Sequence, residues 1–148
     1  MEITLIRHTS VDVPPGVCYG QTDVPLKDSF EQEAAITLSR LKASLPEEEN
    51  FDHAFTSPLT RCVRLADYCG YPNAERDKRL MEINFGAWEM KPFDRNDDPR
   101  LQEWYADYLN VAATGGESFA MQYERVSRFL DELKQKPYRR VAIFAHGG

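Results

Sequence analysis

The stretch RRVAIFAHGG (residues 139–148) indicates which class of fold this chain adopts. Its apolar run over residues 141–144 is unbroken, which is typical of a strand buried on both faces of a sheet. The run ends in Ala-His-Gly-Gly, so that His146 follows the strand almost at once. The other end of the chain repeats this layout, because the predicted strand Glu2–Ile6 is followed by an arginine and then by His8.

Helices and further strands are predicted to alternate between these two segments. Ser29 is predicted to cap the first helix, with Gln32 completing a capping box. The apolar residues that then recur at helical spacing are Ala34, Leu38, Leu41 and Leu45. A second strand is predicted over residues 53–57, and a helix over residues 59–70 that Gly70 terminates.

The second half of the chain is predicted to contain a polar loop and two more helices. The loop is KPFDRNDDPR (residues 91–100), and the first helix covers Leu101–Leu109. The motif GGES (residues 115–118) opens the longer helix, and Pro137 stops it. The apolar positions of this longer helix are Phe119, Tyr123, Val126, Leu130 and Leu133.

This alternation predicts an α/β fold with three αβα layers and a mostly parallel central sheet. Ligands of such sheets bind beyond the carboxyl ends of the strands. Because His8 and His146 each follow a strand, we expect both imidazoles at the same edge of the sheet.

The composition describes one globular domain rather than a disordered or fibrous chain. The sequence has 148 residues, of which 42% are hydrophobic and 28% charged, and its net charge of −6 at pH 7 argues against a nucleic-acid partner. No apolar run is long enough to span a bilayer, so we expect no membrane partner and a cytoplasmic location. The three histidines and three cysteines form no metal-binding pattern, and no cofactor is expected.

Three charged residues have the chemistry to act with these histidines on a phosphate. Arg7 carries a planar, permanently charged group that suits phosphate oxygens. Arg61, in SPLTRC (residues 57–62), falls in the first turn of a helix, where free N–H groups also favour anions. Glu82 follows two apolar residues, where burial would favour the protonated carboxyl that donates to a leaving group.

The order of these motifs resembles that of the histidine phosphatase superfamily, whose fold is called phosphoglycerate mutase-like. The matching strings are LIRHT, CYGQTDVPL, SPLTRC, EINFGAWE, GGES and VAIFAHGG, and they extend from residue 3 to residue 148. The first two strings, with Thr9 where most members have glycine, are most similar to α-ribazole phosphatases of cobalamin synthesis.

The resemblance implies a role for each of the five residues. His8 would be the nucleophile that becomes phosphohistidine, and Glu82 would protonate the leaving alcohol and then help to activate water. His146, Arg7 and Arg61 would bind the phosphoryl oxygens and stabilise charge in the transition state.

Four more residues are candidates for substrate contacts, each with an equally good structural explanation. Gln21 and Thr22 lie in the first loop and would bind phosphate or simply form a turn. Glu117 and Ser118 of GGES would reach the substrate or cap the long helix. The segment SVDVPPG lacks the asparagine that most relatives use as a further phosphate ligand, so this contact is either missing or supplied by Gln21.

The resemblance also predicts that this single domain lacks a C-terminal part, because relatives continue past the second histidine. Apolar surface of the sheet or of a helix is therefore expected to lie uncovered. Hydrolysis of a small phosphomonoester, α-ribazole 5′-phosphate first, is the predicted function. A phosphoglycerate-type mutase and a non-catalytic phosphate-binding module are the alternatives, and a homo-oligomer is left open.

Overall fold

Four parallel strands form the sheet at the centre of the molecule. A computed structural model describes residues 1–148. The strands are β1 (Glu2–Arg7), β2 (His53–Thr56), β3 (Glu75–Arg76) and β4 (Arg140–Ala145), and their order across the sheet is β1-β4-β2-β3. The predicted α/β fold with a parallel sheet is thus confirmed, although β3 was not predicted.

Helices cover both faces of this sheet. The chain has four helices, α1 (Phe30–Ser44), α2 (Thr60–Tyr68), α3 (Arg100–Ala106) and α4 (Phe119–Leu133). All but α3 pack on the sheet, and α3 belongs to a separate cluster with Trp88. Apolar residues of α1 and α2 share one core cluster with β4, and those of α4 share a second cluster with it. None of the helices has the length and apolar composition needed to cross a bilayer.

The unbroken apolar run of β4 follows from its central position between these layers. Val141 and Ile143 pack into the cluster on the α4 side, while Ala142 and Phe144 pack into the cluster with α1 and α2. Because consecutive side chains of a strand point to opposite faces, all four positions are buried. The strand carries no polar face.

Two predicted helix ends differ from those in the structure. Ser29 does precede α1, but its hydroxyl donates to the Glu33 carboxylate at 2.6 Å and caps no backbone N–H, so the predicted capping box with Gln32 is wrong. Helix α3 ends at Ala106, three residues before the predicted end, where the backbone of Asp107 leaves the helical conformation.

The predicted apolar stripe of α4 is only partly buried. Leu133 lies in the core, but Tyr123 is 68% exposed, and the buried positions of the helix include Gln122 and Phe129. The outer part of the stripe borders an apolar groove of about 450 Å³ between α4 and β1. Leu5 of β1, which is 75% exposed, also lines this groove, so the structure does have an uncovered apolar surface.

Candidate active site

The carboxyl ends of three neighbouring strands meet at one edge of the sheet. His8 follows β1, His146 follows β4, and Ser57 follows β2. The two imidazole rings lie 5.3 Å apart between centroids. The His8 backbone N–H also donates to the Ala145 carbonyl at 3.3 Å, so the strand pairing itself fixes the spacing of the two histidines.

The His8 ring has one nitrogen committed to the backbone and the other free. Its Nδ1 lies 2.7 Å from the carbonyl oxygen of Thr9, which can only accept, so Nδ1 carries the proton. Burial lowers the pKa of His8, and Arg61 and Arg7 lower it further, which favours the neutral ring. A neutral imidazole with a free Nε2 lone pair is a nucleophile.

Arg61 places a fully buried guanidinium beside this nucleophile. Helix α2 begins directly after the turn that follows β2, and its first turn carries Arg61. The guanidinium donates to the carbonyl of Thr22 at 2.9 Å and to that of Gly20. Its Nε is buried but has no hydrogen-bond partner. An unpaired donor on a buried cation is costly unless an anion binds it.

Glu89 holds the first loop in the conformation that Arg61 needs. One carboxylate oxygen of Glu89 accepts from the backbone N–H of Gly20 at 3.0 Å, and from the backbone and side chain of Thr22 at 2.8 and 2.7 Å. A side chain at position 20 would not fit, because its Cβ would lie 1.9 Å from the Ile83 carbonyl oxygen. The sequence analysis missed Glu89, although this acidic residue ends the EINFGAWE string.

Gln21 and Thr22 lie in the first loop, and the contacts of Thr22 hold this loop against Glu89 and Arg61. Both donors of Thr22 are bound to Glu89, and its carbonyl accepts from Arg61. Gln21 makes no hydrogen bond and does not line the cavity beside His8. This loop positions Arg61 through the Thr22 carbonyl, and the phosphate contacts of Gln21 and Thr22 stay predictions.

Glu82 faces His8 across the same cavity. Its carboxylate accepts from the backbone N–H of Ile83 at 2.9 Å, from the amide of Gln122 at 3.1 Å and from the backbone N–H of Gly148 at 3.3 Å. The carboxylate is thus held by the loop that carries it, by α4 and by the segment after β4.

Arg125 of α4 fixes the loop that carries Glu82. Its guanidinium donates to the carbonyls of Arg79 and Met81 at 2.7 Å each, and to that of Glu82 at 3.0 Å. Sequence reasoning did not single out Arg125, because an arginine on a helix is usually a solvated surface residue.

Glu117 and Ser118 do not line the cavity beside His8 and make their contacts within the chain, so their substrate contacts stay predictions. Glu117 pairs with Arg125 at 2.9 Å and accepts from the backbone N–H of Asn84 at the same distance. The hydroxyl of Ser118 accepts from the backbone N–H of Met121 at 3.2 Å and caps α4. The helix-capping alternative therefore applies to Ser118, and Glu117 stabilises the Arg125 contact network.

Arg7 is the exposed cation of the site. It lines the cavity together with His8 and Glu82, and its guanidinium makes no hydrogen bond within the chain. The glycine after His146 lets the backbone pass close to this group, since a Cβ at Gly147 would lie 3.2 Å from the Arg7 Cζ.

The rest of the cavity, which has a volume of about 340 Å³, is apolar and partly aromatic. Beyond His8, Arg7 and Glu82, its wall includes Val17, Cys18, Tyr19, Ile83, Phe85 and Phe93. Trp88 is buried behind this wall and packs against Trp104, so it supports the cavity without lining it. No group of three or more His, Cys, Asp or Glu side chains is placed to hold a metal ion.

His146 is strongly held in its neutral form. Burial, followed by the nearby Arg61, lowers the pKa of His146 from 6.5 to about 3, with smaller contributions from His8, Arg125 and Arg7. Its Nε2 lies 2.8 Å from the hydroxyl of Ser57. At neutral pH this ring therefore contributes a hydrogen-bonding group rather than a charge.

We expect acid to destabilise the fold through His146. Between pH 6.5 and pH 3 the unfolded chain binds a proton on this ring that the folded chain does not bind, so stability falls as the pH falls. The slope near pH 5 should be about 1 kcal/mol per pH unit. Urea unfolding at pH 7.5, 6 and 5 measures it. The variant His146→Asn should have a shallower slope, and equal slopes would contradict this expectation.

Two histidines and a buried arginine meet at one edge of a parallel sheet. This arrangement is typical of enzymes that transfer phosphoryl groups with a histidine. The chain belongs to the histidine phosphatase superfamily (branch 1), whose family model matches residues 3–148. The predicted superfamily, enzyme class and phosphoglycerate mutase-like fold are thereby confirmed.

Solved structures resemble this chain over its full length. TTHB049 from Thermus thermophilus is 36% identical, with a TM-score of 0.76, and the match covers 100% of this chain and 79% of that one. The alpha-ribazole phosphatase from Shigella flexneri is 26% identical, with a TM-score of 0.84, and the match covers 99% of this chain and 74% of that one.

Curated relatives include both phosphatases and mutases. Phosphoserine phosphatase 1 of Hydrogenobacter thermophilus is 25% identical over 97% of this chain and 69% of its own length. The probable phosphoglycerate mutase GpmB of Yersinia enterocolitica is 28% identical over 93% of this chain and 65% of its own length. The chain thus spans about two thirds of the length of these relatives. That it is one domain lacking a C-terminal part stays a prediction.

Proposed function

We propose that this chain hydrolyses a phosphomonoester through a phosphohistidine at His8, and that its substrate is α-ribazole 5′-phosphate of cobalamin synthesis. The observation that carries the proposal is the unpaired Nε of Arg61, a buried cationic donor beside a neutral histidine whose Nε2 is free. The cytoplasm stays the predicted location.

In the first step the phosphoryl group moves from the ester oxygen to His8. The Nε2 lone pair forms the N–P bond while the ester P–O bond breaks. Arg61 and Arg7 bind the phosphoryl oxygens and stabilise the charge that develops on them. The leaving oxygen takes the proton of the Glu82 carboxyl and departs as an alcohol.

In the second step water releases the phosphate. Glu82, now a carboxylate, takes a proton from a water molecule as the water oxygen forms a bond to phosphorus. The N–P bond breaks, its electron pair returns to His8 Nε2, and inorganic phosphate leaves. Both the histidine and the protonated carboxyl are thus restored.

The cavity wall supports a planar aromatic leaving group. Tyr19, Phe85 and Phe93 present aromatic rings next to the reactive histidine. Aromatic rings stack on one another, and a cavity of about 340 Å³ is within the range that small-molecule ligands occupy. The benzimidazole ring of α-ribazole meets this description, whereas the small, charged leaving groups of phosphoserine or phosphoglycerate do not.

A panel of phosphate esters tests the proposal. We expect kcat/KM for α-ribazole 5′-phosphate to exceed those for phosphoserine and 3-phosphoglycerate by at least about tenfold. Quenching in alkaline detergent during turnover with 32P-labelled substrate should leave a base-stable, acid-labile phosphate on the protein. A preference for phosphoserine would contradict α-ribazole 5′-phosphate as the substrate, but it would not contradict hydrolysis through His8.

Two outcomes of the same panel would support the alternative functions. A mutase given a bisphosphorylated sugar acid would transfer the phosphoryl group within the substrate and release little phosphate. A non-catalytic module would bind phosphate without turnover and without labelled histidine. Either result would contradict the proposed hydrolysis.

A further inference from the structure

The buried hydroxyl of Ser57 contacts the Nε2 atom of the His146 ring. Ser57 is the first residue after β2 and is fully buried. Its Oγ lies 2.8 Å from His146 Nε2, while Nδ1 of the same ring has no oxygen or nitrogen partner in the chain. The free nitrogen of His146 is therefore Nδ1.

The surrounding contacts indicate where the Ser57 proton goes. The backbone N–H of Leu59 donates to Ser57 Oγ at 3.3 Å, which occupies one lone pair of the hydroxyl. The other group near Nε2 is the Cys62 thiol, and it donates to the Ala145 carbonyl at 3.3 Å. The Cys62 sulfur also lies within reach of the Ser57 hydroxyl, but sulfur is a weak acceptor. His146 Nε2 is the nitrogen or oxygen acceptor that the Ser57 hydroxyl contacts, so its hydrogen is available to that nitrogen.

We propose that Ser57 donates its hydroxyl proton to His146 Nε2 and thereby holds His146 in the Nδ1–H tautomer. Ser57 is in this sense a positioning residue, because it acts through His146 and does not itself touch a substrate. The catalytic consequence rests on the proposed function, whereas the tautomer is a property of the folded chain alone.

This tautomer determines what a neutral His146 offers to an anion. With the proton on Nδ1, the free nitrogen is a hydrogen-bond donor that suits a phosphoryl oxygen. With the proton on Nε2, the same nitrogen would present a lone pair, which repels that oxygen. His8 holds its proton on Nδ1 as well, but there Nε2 is the free nitrogen, so the two rings offer opposite groups.

Nitrogen NMR of the histidine rings tests the tautomer without any substrate. The chain has three histidines, so spectra of 15N-histidine-labelled protein and of the variants His53→Asn and His8→Asn suffice to assign the signals of His146. At pH 7.5 we expect His146 in the Nδ1–H form. In Ser57→Ala we expect a shift toward the Nε2–H form. A His146 ring in the Nε2–H form in the wild-type protein would overturn the proposal, even if Ser57→Ala does not fold.

Steady-state kinetics separate this role from a structural one. We expect Ser57→Ala to lower kcat for phosphate release by about tenfold to hundredfold, as loss of a residue that orients a site histidine does, and Ser57→Thr to restore most of it. Thr56→Val is the matched control, since Thr56 is also a buried hydroxyl, but it donates to the Ser57 carbonyl at 2.9 Å. Equal losses in Ser57→Ala and Thr56→Val, with an unchanged tautomer, would contradict the proposal. If the chain releases no phosphate at all, the proposed function fails while the spectra still decide the tautomer.

Discussion

Phosphate release should fall by at least about 10⁴-fold in the variant His8→Ala, because removal of the nucleophile leaves only binding and charge stabilisation. The structure offers no substitute nucleophile at this position. The His146 ring lies 5.3 Å from the His8 ring between centroids, but its free nitrogen carries the proton in the proposed tautomer, so it has no lone pair to attack phosphorus. Alanine also removes the contact between His8 Nδ1 and the Thr9 carbonyl, which orients the ring.

The measurement is release of inorganic phosphate together with 32P labelling of the protein, quenched in alkaline detergent. The matched control is His53→Asn. His53 stacks on Tyr138 with 4.5 Å between ring centroids and begins β2, so it lies at the opposite edge of the sheet from the candidate site. We expect the control to retain activity and the phosphohistidine label. Label that persists in His8→Ala would place the covalent intermediate on another residue and end the proposed mechanism.

The second large effect is expected for Arg61→Lys, which should lower kcat/KM by about 10²- to 10³-fold. A lysine keeps the charge but has a single nitrogen. Arg61 donates to two carbonyls, and its Nε still has no partner within the chain. Lysine therefore cannot both hold the loop at Gly20 and Thr22 and bind an anion. The lost activity includes the free-energy cost of a buried carbonyl or anion that the lysine leaves without a hydrogen bond.

Thermal unfolding with and without inorganic phosphate separates binding from catalysis. Phosphate that binds only the folded chain raises the Tm, and Arg61→Lys should remove most of that increase. Arg64→Lys is the control, because Arg64 lies on the same helix but is exposed and packs over the Phe30 ring at 4.4 Å. An equal Tm increase in Arg61→Lys and wild type would show that phosphate binds elsewhere.

Local sequence patterns predicted the parts of this molecule that depend on local physics. The apolar run 141–144 predicted a central strand because burial on both faces leaves no polar position. The rule that parallel strands present their carboxyl ends at one edge was enough to predict that His8 and His146 would meet.

Contacts between distant residues could not be predicted in this way. Glu89 binds Gly20 and Thr22 from the other side of the cavity, and no spacing in the sequence indicates that pairing. The same limit applies to the contacts that Thr22 and Glu117 make within the chain. Each has suitable chemistry for a substrate contact, but a charged residue elsewhere in the chain occupies its polar groups.

Helix α4 illustrates a different limit. Helical periodicity placed Phe119 and Tyr123 on the apolar stripe of this helix, yet both side chains are exposed. Periodicity shows that one face of a helix is apolar, but it does not show which other element covers that face.

The strand order β1-β4-β2-β3 has a consequence for how the protein forms on the ribosome. β1 and β2 have no hydrogen bonds to each other, and both pair with β4, which is encoded near the far end of these 148 residues. β1 and β2 cannot pair with β4 until Ala145 has left the exit tunnel. Until then, both strands lack this partner in the nascent chain. Such non-local pairing slows folding and exposes the chain to aggregation. Because β4 also delivers His146, the pairing of β1 with β4 and the approach of the two imidazoles arise in the same event.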